Sequence, residues 1–360
     1  MAGFIKTLKK TALAASIASL ATVANATIVT SIKPLGFIAS SIADGVTDTE
    51  VLVPAGASPH DYSLKPSDIQ KLQGAELILW VGEDIDAFLD KTLRPMPFKK
   101  VLSIADFAEI GGLLEGEAHD HKHEHDHDHK HDHDHKHDHE HKHEHDHKHD
   151  HAHKHDHAHK HDHAHKHDHD HKHDHEHKHD HAHGHDHDHS TNWHVWYSPE
   201  ISKIVATRLA TRLTEAYPEK KEKIAQNLAE FNRTLAEQSE KIKQQLAPVK
   251  EKGFYVFHDA YSYFNNAYGL KQTGYFTINP LVAPGAKTLA KIKQEIKEHK
   301  VNCLFAEPQF TPKVIESLSK GTGVHVGRLD PMGDAVKLGV NSYANFLQYT
   351  ADSYFACLSK

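Results

Sequence analysis

A run of alternating histidines is the feature that most constrains this chain of 360 residues. Histidine occupies every odd position from His119 to His189, and Asp, Glu, Lys, Ala or Gly fills the even positions. Four alanines are the run's apolar residues, so it cannot bury enough surface to offset the entropy of ordering its 71 residues. The sequence therefore predicts a disordered surface loop over residues 119–189, with folded segments before and after it.

The run also has the composition of a metal-binding segment. Neutral imidazoles bind zinc, and 20 carboxylates against 10 lysines give the run a net charge of −10. We expect accessory zinc sites of low affinity along it, because each site must order its own stretch of loop; a solubilising segment that binds no metal is the alternative. His123–His127 formally matches the H-E-x-x-H motif of zinc proteases, but that motif requires a helix within a particular fold.

Charge outside the run argues against a nucleic-acid-binding protein. The whole chain carries −8, so the other 289 residues together carry +2. A near-neutral body lacks the basic excess that binds phosphate backbones. Its apolar residues lie outside the run, which argues for a folded body.

The first 26 residues have the pattern of a signal peptide. Lys6, Lys9 and Lys10 form a basic start, and Ala24–Ala26 fits the A-x-A cleavage pattern. The apolar stretch between them is about 13 residues, too short for a membrane span of about 20. We therefore expect an exported protein that begins at Thr27; an amphipathic helix of a cytosolic protein is the alternative.

Apolar segments alternate with helix-compatible stretches on both sides of the run, which predicts parallel sheets with crossover helices. The predicted strands are 27–32, 50–54, 77–82, 100–104, 254–257, 274–277, 302–305 and 324–329. Helices are expected within 67–72 and at about 287–299, 312–320 and 341–356.

Two helices are predicted between these halves. Ser198, Pro199 and Glu200 supply the N-cap, first-turn proline and acidic residue of a helix start. A second helix from about Pro218 to Leu246 carries its apolar residues on one face and spans about 43 Å. A coiled-coil dimerisation helix is the alternative, but the repeat covers about three heptads.

The predicted fold class is α/β, with two similar lobes of parallel-rich sheets flanked by helices and joined by one long backbone helix. The predicted division is a signal peptide (1–26), an N-terminal lobe (27–198) that contains the loop 119–189, linking helices (199–248) and a C-terminal lobe (249–360).

Three histidines outside the run are candidate ligands. His60 follows the second predicted strand, and His258 ends a strand in the other lobe. Ligands of parallel α/β sheets bind beyond the carboxyl ends of strands, where Asp330 also lies. With His194, which follows the run, these imidazoles and a carboxylate or water would form a tetrahedral zinc site.

The chain has two cysteines, Cys303 and Cys357. In an exported protein an even count favours a disulfide, which would stabilise the fold by about 4 kcal/mol on the chain-entropy model. Two buried thiols are the alternative. The chain has no C-x-x-C pair, so a cysteine zinc site is not predicted.

Five segments resemble motifs of the periplasmic zinc-binding proteins of bacterial ABC importers, a cluster that also contains manganese-binding lipoproteins. They are Gly56–Asp68 (GASPHDYSLKPSD), Trp193–Trp196 with Ser198 and Pro199, Val256–Phe264 (VFHDAYSYF), Phe305–Phe310 (FAEPQF) and Leu329–Gly333 (LDPMG). The resemblance covers essentially all of the chain after the predicted signal peptide, and a loop rich in His and Asp at this position is typical of that family.

The resemblance implies a metal in the cleft between the lobes, bound by His60, His194 and His258. Some zinc members carry Glu immediately before the first ligand, where this chain has Pro59. The fourth ligand is then Asp330 or water. Manganese-binding relatives have a carboxylate at the position of His258, so the nitrogen-rich set here favours zinc.

The family resemblance also implies a function. The protein would capture Zn²⁺ in the periplasm as a transported ligand and deliver it to the membrane permease of an ABC importer, with the histidine run gathering or sensing zinc. A Cys303–Cys357 disulfide is similar to that of the zinc members. No lipobox cysteine lies near Ala26, so we expect a protein without a lipid anchor, and a monomer.

Two other functions remain open. A zinc store would hold its useful zinc in the histidine run rather than in the cleft. A three-histidine zinc hydrolase would use an open fourth position to activate water. No acid or base partner other than Asp330 stands out, so no catalytic residues are predicted and we do not expect an enzyme.

Overall fold

Each half of the described chain is built on a four-stranded parallel sheet with helices packed against it. The computed structural model describes residues 27–116, 191–278, 280–309, 313–320 and 322–360. The predicted signal peptide and the histidine run lie outside these residues. The strands are β1 (Thr27–Thr30), β2 (Asp48–Val51), β3 (Leu77–Trp80), β4 (Val101–Ser103), β5 (Glu115–Gly116), β6 (Thr191–Asn192), β7 (Phe254–His258), β8 (Gln272–Thr277), β9 (Cys303–Ala306) and β10 (His325–Arg328). The helices are α1 (Lys33–Ile42), α2 (Pro66–Gly74), α3 (Glu83–Asp86), α4 (Asp90–Leu93), α5 (Pro199–Ala216), α6 (Lys221–Leu246), α7 (Ser262–Tyr268), α8 (Ala286–Lys297), α9 (Lys313–Ser319) and α10 (Ser342–Leu358).

The N-terminal sheet has the strand order β2-β1-β3-β4, and all of its strands are parallel. Strand β3 reads LILW, and all four of its residues are buried. A strand covered by helices on both faces is apolar at every position, which is why the apolar run at 77–82 predicts this strand correctly.

The C-terminal sheet has the order β8-β7-β9-β10, again all parallel. In each half the strand that comes second in the chain lies at the edge, followed by the first, third and fourth. The two lobes therefore share one topology, and the predicted α/β class with two similar lobes is confirmed.

Helices α5 and α6 connect the lobes. Helix α5 begins as predicted, because the Ser198 hydroxyl accepts a hydrogen bond from Ile201 N at 3.2 Å and Pro199 occupies the first turn. Helix α6 begins at Lys221, three residues later than predicted, because residues 218–220 form a separate 3₁₀ turn. Its 26 residues span about 39 Å. The buried apolar side chains on its face are Ile224, Phe231, Leu235, Ile242 and Leu246.

The two lobes share one hydrophobic core. A single cluster of buried side chains includes Ile28 of the N-terminal sheet, Val256 of the C-terminal sheet and Phe346 of α10. Helix α10 packs against α1 and α6. The Cys303–Cys357 disulfide joins α10 to β9 with a Cα–Cα distance of 6.2 Å, so the predicted pairing is confirmed. In the described part of the chain, no helix combines the length and the apolar character needed to cross a bilayer.

A short antiparallel ladder connects the chain segments on either side of the histidine run. Glu115 pairs with Asn192, and Gly116 pairs with Thr191. The Tyr263 hydroxyl reinforces the ladder, since it accepts from Glu115 N at 3.0 Å and donates to Asn192 O at 2.6 Å. The ladder thus fixes the backbone two residues before His194, which the sequence pattern does not predict.

Candidate metal site

Three histidines meet where the lobes face each other. His60, His194 and His258 each offer a ring nitrogen, and these nitrogens lie within 4.8 Å of one another. The ring centroids are 5.1 to 5.9 Å apart. The structure therefore brings together the three histidines that the sequence nominates, although they are separated by more than 60 residues along the chain.

His258 is the last residue of β7, and its side chain is buried. Glu307 follows the end of the adjacent strand β9, so its carboxylate reaches the same edge of the sheet. The carboxylate oxygens lie 2.7 and 2.8 Å from Nδ1 of His258. The Oε1 atom of Glu307 also accepts from the Tyr261 hydroxyl at 2.9 Å. A carboxylate can only accept here, so Nδ1 of His258 carries a proton and Nε2 is the ring nitrogen on the side away from Glu307.

His194 is oriented by Asn192, the residue that ends β6. The Oδ1 atom of Asn192 accepts from the backbone N of His194 at 3.0 Å and lies 2.7 Å from its Nδ1. The Nδ2 atom of Asn192 donates to Asp259 O at 2.8 Å and to Ser262 Oγ at 3.1 Å, which identifies the oxygen of the amide. His194 is therefore also protonated on Nδ1, and its Nε2 faces Nε2 of His258.

His60 comes from the loop that follows β2. Parallel pairing continues briefly past the strand, with Leu52 N and Val53 N donating to Thr30 O and Ser31 O. The chain then turns toward the cleft, and His60 N donates to the Ser58 hydroxyl at 3.3 Å. Of the three histidines, His60 is the one that is partly exposed.

The electrostatics of this cluster favour a bound cation. Nε2 of His194 and Nε2 of His258 are 3.2 Å apart, so one bound ion would contact both nitrogens. Burial, and secondarily the charge that His258 would carry, lowers the pKa of His60 to about 4. Burial first, followed by His258 and His60, lowers the pKa of His194 well below its usual range. His60 and His194 are thus kept neutral, which is the form in which an imidazole binds a metal ion.

The space between the rings is small. It is about 10 Å³, close to what a single water-sized particle needs. Its remaining walls are formed by Ser58, Pro59, Trp196, Glu307, Gln309, Pro331 and Met332. The space suits a single small ion, and a larger organic substrate does not fit it.

Asp330 lies near this space but outside the group of converging nitrogens. Its Oδ1 accepts from Met332 N at 3.0 Å and from Gln309 Nε2 at 2.9 Å. Its Oδ2 accepts from Asp334 N at 2.7 Å. Both oxygens are therefore engaged in the turn that follows β10, and a fourth ligand from Asp330 stays a prediction.

Glu307 and Asn192 are absent from the predicted site, although both act on predicted ligands. Glu307 carries the same signal as His258, because it stands at the carboxyl end of a parallel strand. Asn192 carries a weaker signal, a side-chain amide two residues before a candidate ligand. Their effect is on the tautomer and orientation of the rings, which sequence spacing does not reveal.

Comparisons with known proteins identify the family. A family model described as ZnuA, zinc-uptake complex component A, periplasmic, matches residues 28–357. The high-affinity zinc uptake system protein ZnuA of Haemophilus influenzae is 66% identical over 355 residues, which cover 99% of each chain. The protein of the same description from Yersinia pestis is 41% identical over 336 residues, covering 93% of this chain and 92% of that relative.

Solved structures show the same fold. A crystal structure described as ZnuA has a TM-score of 0.64 at 20% identity, covering 92% of this chain and 99% of that chain. The periplasmic zinc binding protein TroA from Treponema pallidum has a TM-score of 0.65 at 15% identity, covering 93% and 100%. Because the family match spans nearly the whole chain at high identity to its relatives, this chain belongs to the ZnuA family of periplasmic zinc-uptake components.

Proposed function

We propose that this protein captures Zn²⁺ in the periplasm and delivers it to the membrane permease of an ABC importer. His60, His194 and His258 bind the ion in the cleft. The observation that carries the proposal is the convergence of ring nitrogens from these three histidines within 4.8 Å of one another, with the Nδ1 atoms of His258 and His194 held by Glu307 and Asn192. A convergent set of imidazole nitrogens of this kind binds a metal ion.

The donor set favours zinc over harder divalent cations. Imidazole nitrogens suit zinc, whereas manganese, magnesium and calcium take more oxygen ligands. The Glu307 carboxylate contacts Nδ1 of His258 and places a negative charge beside the ring. Carboxylates commonly contact zinc-bound histidines in this way.

Water is the fourth ligand that the contacts favour. The Asp330 carboxylate already accepts three hydrogen bonds. Gln309 lines the cavity, and its Oε1 is buried without a hydrogen-bond partner among the described residues. A zinc-bound water would donate to this oxygen and would satisfy it, which a ligating Asp330 would not do.

The origin of the ligands explains how zinc can be released. His60 belongs to the N-terminal lobe and His258 to the C-terminal lobe, so a small separation of the lobes removes a ligand. A permease that engages both lobes would use this separation. We propose a transport role rather than a catalytic one, because the Glu307 carboxylate is already engaged by Nδ1 of His258 and by the Tyr261 hydroxyl.

The remaining parts of the chain have supporting roles in this proposal. Residues 1–26 direct export and are removed, and residues 27–198 and 249–360 form the two lobes around the linking helices 199–248. The histidine run from His119 to His189 supplies accessory zinc sites. The protein acts as a monomer without a lipid anchor.

A zinc competition titration tests the proposal. The mature protein and a version lacking residues 119–189 should both show one tight site of similar affinity. His60→Ala, His194→Ala and His258→Ala should each weaken that site by more than the 10–100-fold typical of an outer-shell change.

His325→Ala is the matched control, because His325 is exposed on β10 and away from the cleft. It should leave the tight site unchanged. Tight binding that survives all three cleft substitutions would place the zinc elsewhere. Tight binding that disappears with residues 119–189 would identify the protein as a zinc store.

A further inference from the structure

One hydrogen bond ties the His60 loop of the N-terminal lobe to the C-terminal lobe. Gly56 N donates to Oδ2 of Asp334 at 2.7 Å. From the same lobe as Gly56, the Lys33 ammonium donates to the backbone oxygen of Asp334, also at 2.7 Å. Asp334 lies in the segment between β10 and α10, so it contacts the opposite lobe through both its carboxylate and its backbone.

Asp334 lies in a tightly packed turn that side chains of both lobes hold in place. Its backbone N donates to Oδ2 of Asp330 at 2.7 Å. Gly333 has a φ of +63°, and a Cβ there would lie 2.6 Å from Phe346 and 2.9 Å from Phe37. The turn is further anchored by Trp196 Nε1, which donates to Pro331 O at 3.1 Å. A tightly packed turn of this kind has little freedom to follow a moving partner.

The loop that carries His60 is held mainly by local contacts. Ala57 N donates to Pro54 O at 3.2 Å, and His60 N donates to Ser58 Oγ at 3.3 Å, so both bonds stay within the loop. Gly56 has a φ of +78° and is exposed. The bond from Gly56 to Asp334 therefore connects an exposed glycine, four residues before His60, to a tightly packed turn.

We propose that Asp334 is a positioning residue that holds the His60 loop in its closed position and thereby slows the release of bound zinc. A hydrogen bond to a carboxylate is stronger than one between neutral groups. Without it, the loop moves outward with His60, and the ion loses the ligand that is already the most exposed. This inference rests on the proposed role of His60 as a zinc ligand.

The same contacts give Asp330 a function within this proposal. Its Oδ2 orients Asp334, and its Oδ1 orients Gln309 and the turn at Met332, both of which line the zinc cavity. Asp330 thus links the inside of the site to the contact that holds the site closed.

Zinc dissociation from the mature protein, followed by stopped-flow transfer to an excess of a chromophoric chelator, tests the proposal. Each protein is first loaded with one equivalent of zinc. Asp334→Ala should release zinc about tenfold faster, within the 10–100-fold range for residues that orient metal ligands. Asp334→Asn keeps an oxygen acceptor for Gly56 N and should recover most of the slow rate.

Asp61→Ala is the matched control, since Asp61 is an exposed carboxylate next to His60. It removes the same charge near the same ligand, and it should leave the rate unchanged. Equal acceleration by Asp61→Ala would reduce the effect to general electrostatics and overturn the proposal. Acceleration by both Asp334 variants in proportion to a lower melting temperature of the apo protein would also overturn it.

His60→Ala separates this inference from the proposed site. If His60→Ala leaves zinc binding unchanged, the ligand assignment is wrong. If His60→Ala weakens binding while Asp334→Ala releases zinc at the wild-type rate, the assignment stands and the positioning role is wrong. In a His60→Ala background, Asp334→Ala should cause no further acceleration, because the two changes act on one ligand.

Discussion

Replacing Glu307 by Gln should weaken zinc binding without weakening the fold. The Glu307 carboxylate lies 2.7 and 2.8 Å from Nδ1 of His258, and its side chain is completely buried. The negative charge increases the basicity of the imidazole and fixes the tautomer that presents Nε2 to the metal. Glutamine keeps one acceptor oxygen but removes the charge.

The expected loss in affinity is 10–100-fold, which corresponds to about 1.4–2.8 kcal/mol of binding free energy. The apo protein should keep or raise its melting temperature, because the substitution removes a buried charge while a hydrogen-bond acceptor remains. Weaker zinc binding together with an unchanged or higher melting temperature of the apo protein would show that Glu307 acts on the bound ion through His258 and not on the fold.

A competition titration and thermal unfolding of the metal-free protein measure the two quantities. Glu295→Gln is the matched control, because Glu295 also accepts a hydrogen bond from a tyrosine, Tyr255, but on α8 and away from the histidines. It should leave zinc affinity unchanged. Unchanged affinity in Glu307→Gln would refute the argument that this carboxylate tunes the site.

Three further outcomes follow from the structure. The cleft should keep zinc at pH 5.5, because the pKa values of His60 and His194 are lowered. The histidine run, at an ordinary pKa of about 6.5, should lose its zinc at that pH. Equilibrium dialysis at pH 7.5 and 5.5 measures both, and loss of zinc at pH 5.5 from the protein lacking residues 119–189 would contradict the prediction. Burial raises the pKa of Asp86 to about 7 from 3.8, so between these pH values the folded protein binds a proton that the unfolded chain does not. The unfolding free energy should therefore fall by up to about 4 kcal/mol as pH rises from about 4 to about 7. In denaturant titrations, Asp86→Asn should abolish that decline. Cys357→Ser should lower the unfolding free energy by about 4 kcal/mol, and an unchanged denaturation midpoint would contradict a stabilising disulfide.

Much of the fold follows from local patterns. The strand 77–82 and the start of α5 at Ser198 are recognisable because burial on both faces and helix capping each impose a residue choice at fixed spacing. The start of α6 is less predictable, because residues 218–220 satisfy a 3₁₀ turn as well as a first helical turn. The β5–β6 ladder has two residues per strand, too few for a periodic signal.

The candidate site, too, is only partly predictable from local sequence patterns. His258 and Asp330 both follow strand ends, so one rule nominates both. Only packing distinguishes them, because Nε2 of His258 faces another histidine while the Asp330 carboxylate accepts hydrogen bonds from Gln309 and its own turn. Glu307 follows that rule too, yet its role depends on which nitrogen of His258 it contacts.

The sequence by itself determined the class of fold, the three histidines, the cysteine pair and the composition of the run, because periodicity, capping and residue chemistry act over a few neighbouring positions. Only the tertiary structure decided the 3.2 Å approach of two imidazoles, the tautomers set by Glu307 and Asn192, and the bond from Gly56 to Asp334. These contacts join atoms from different elements, in most cases from segments dozens to hundreds of residues apart. Their geometry depends on how whole sheets and helices pack, which no local pattern encodes.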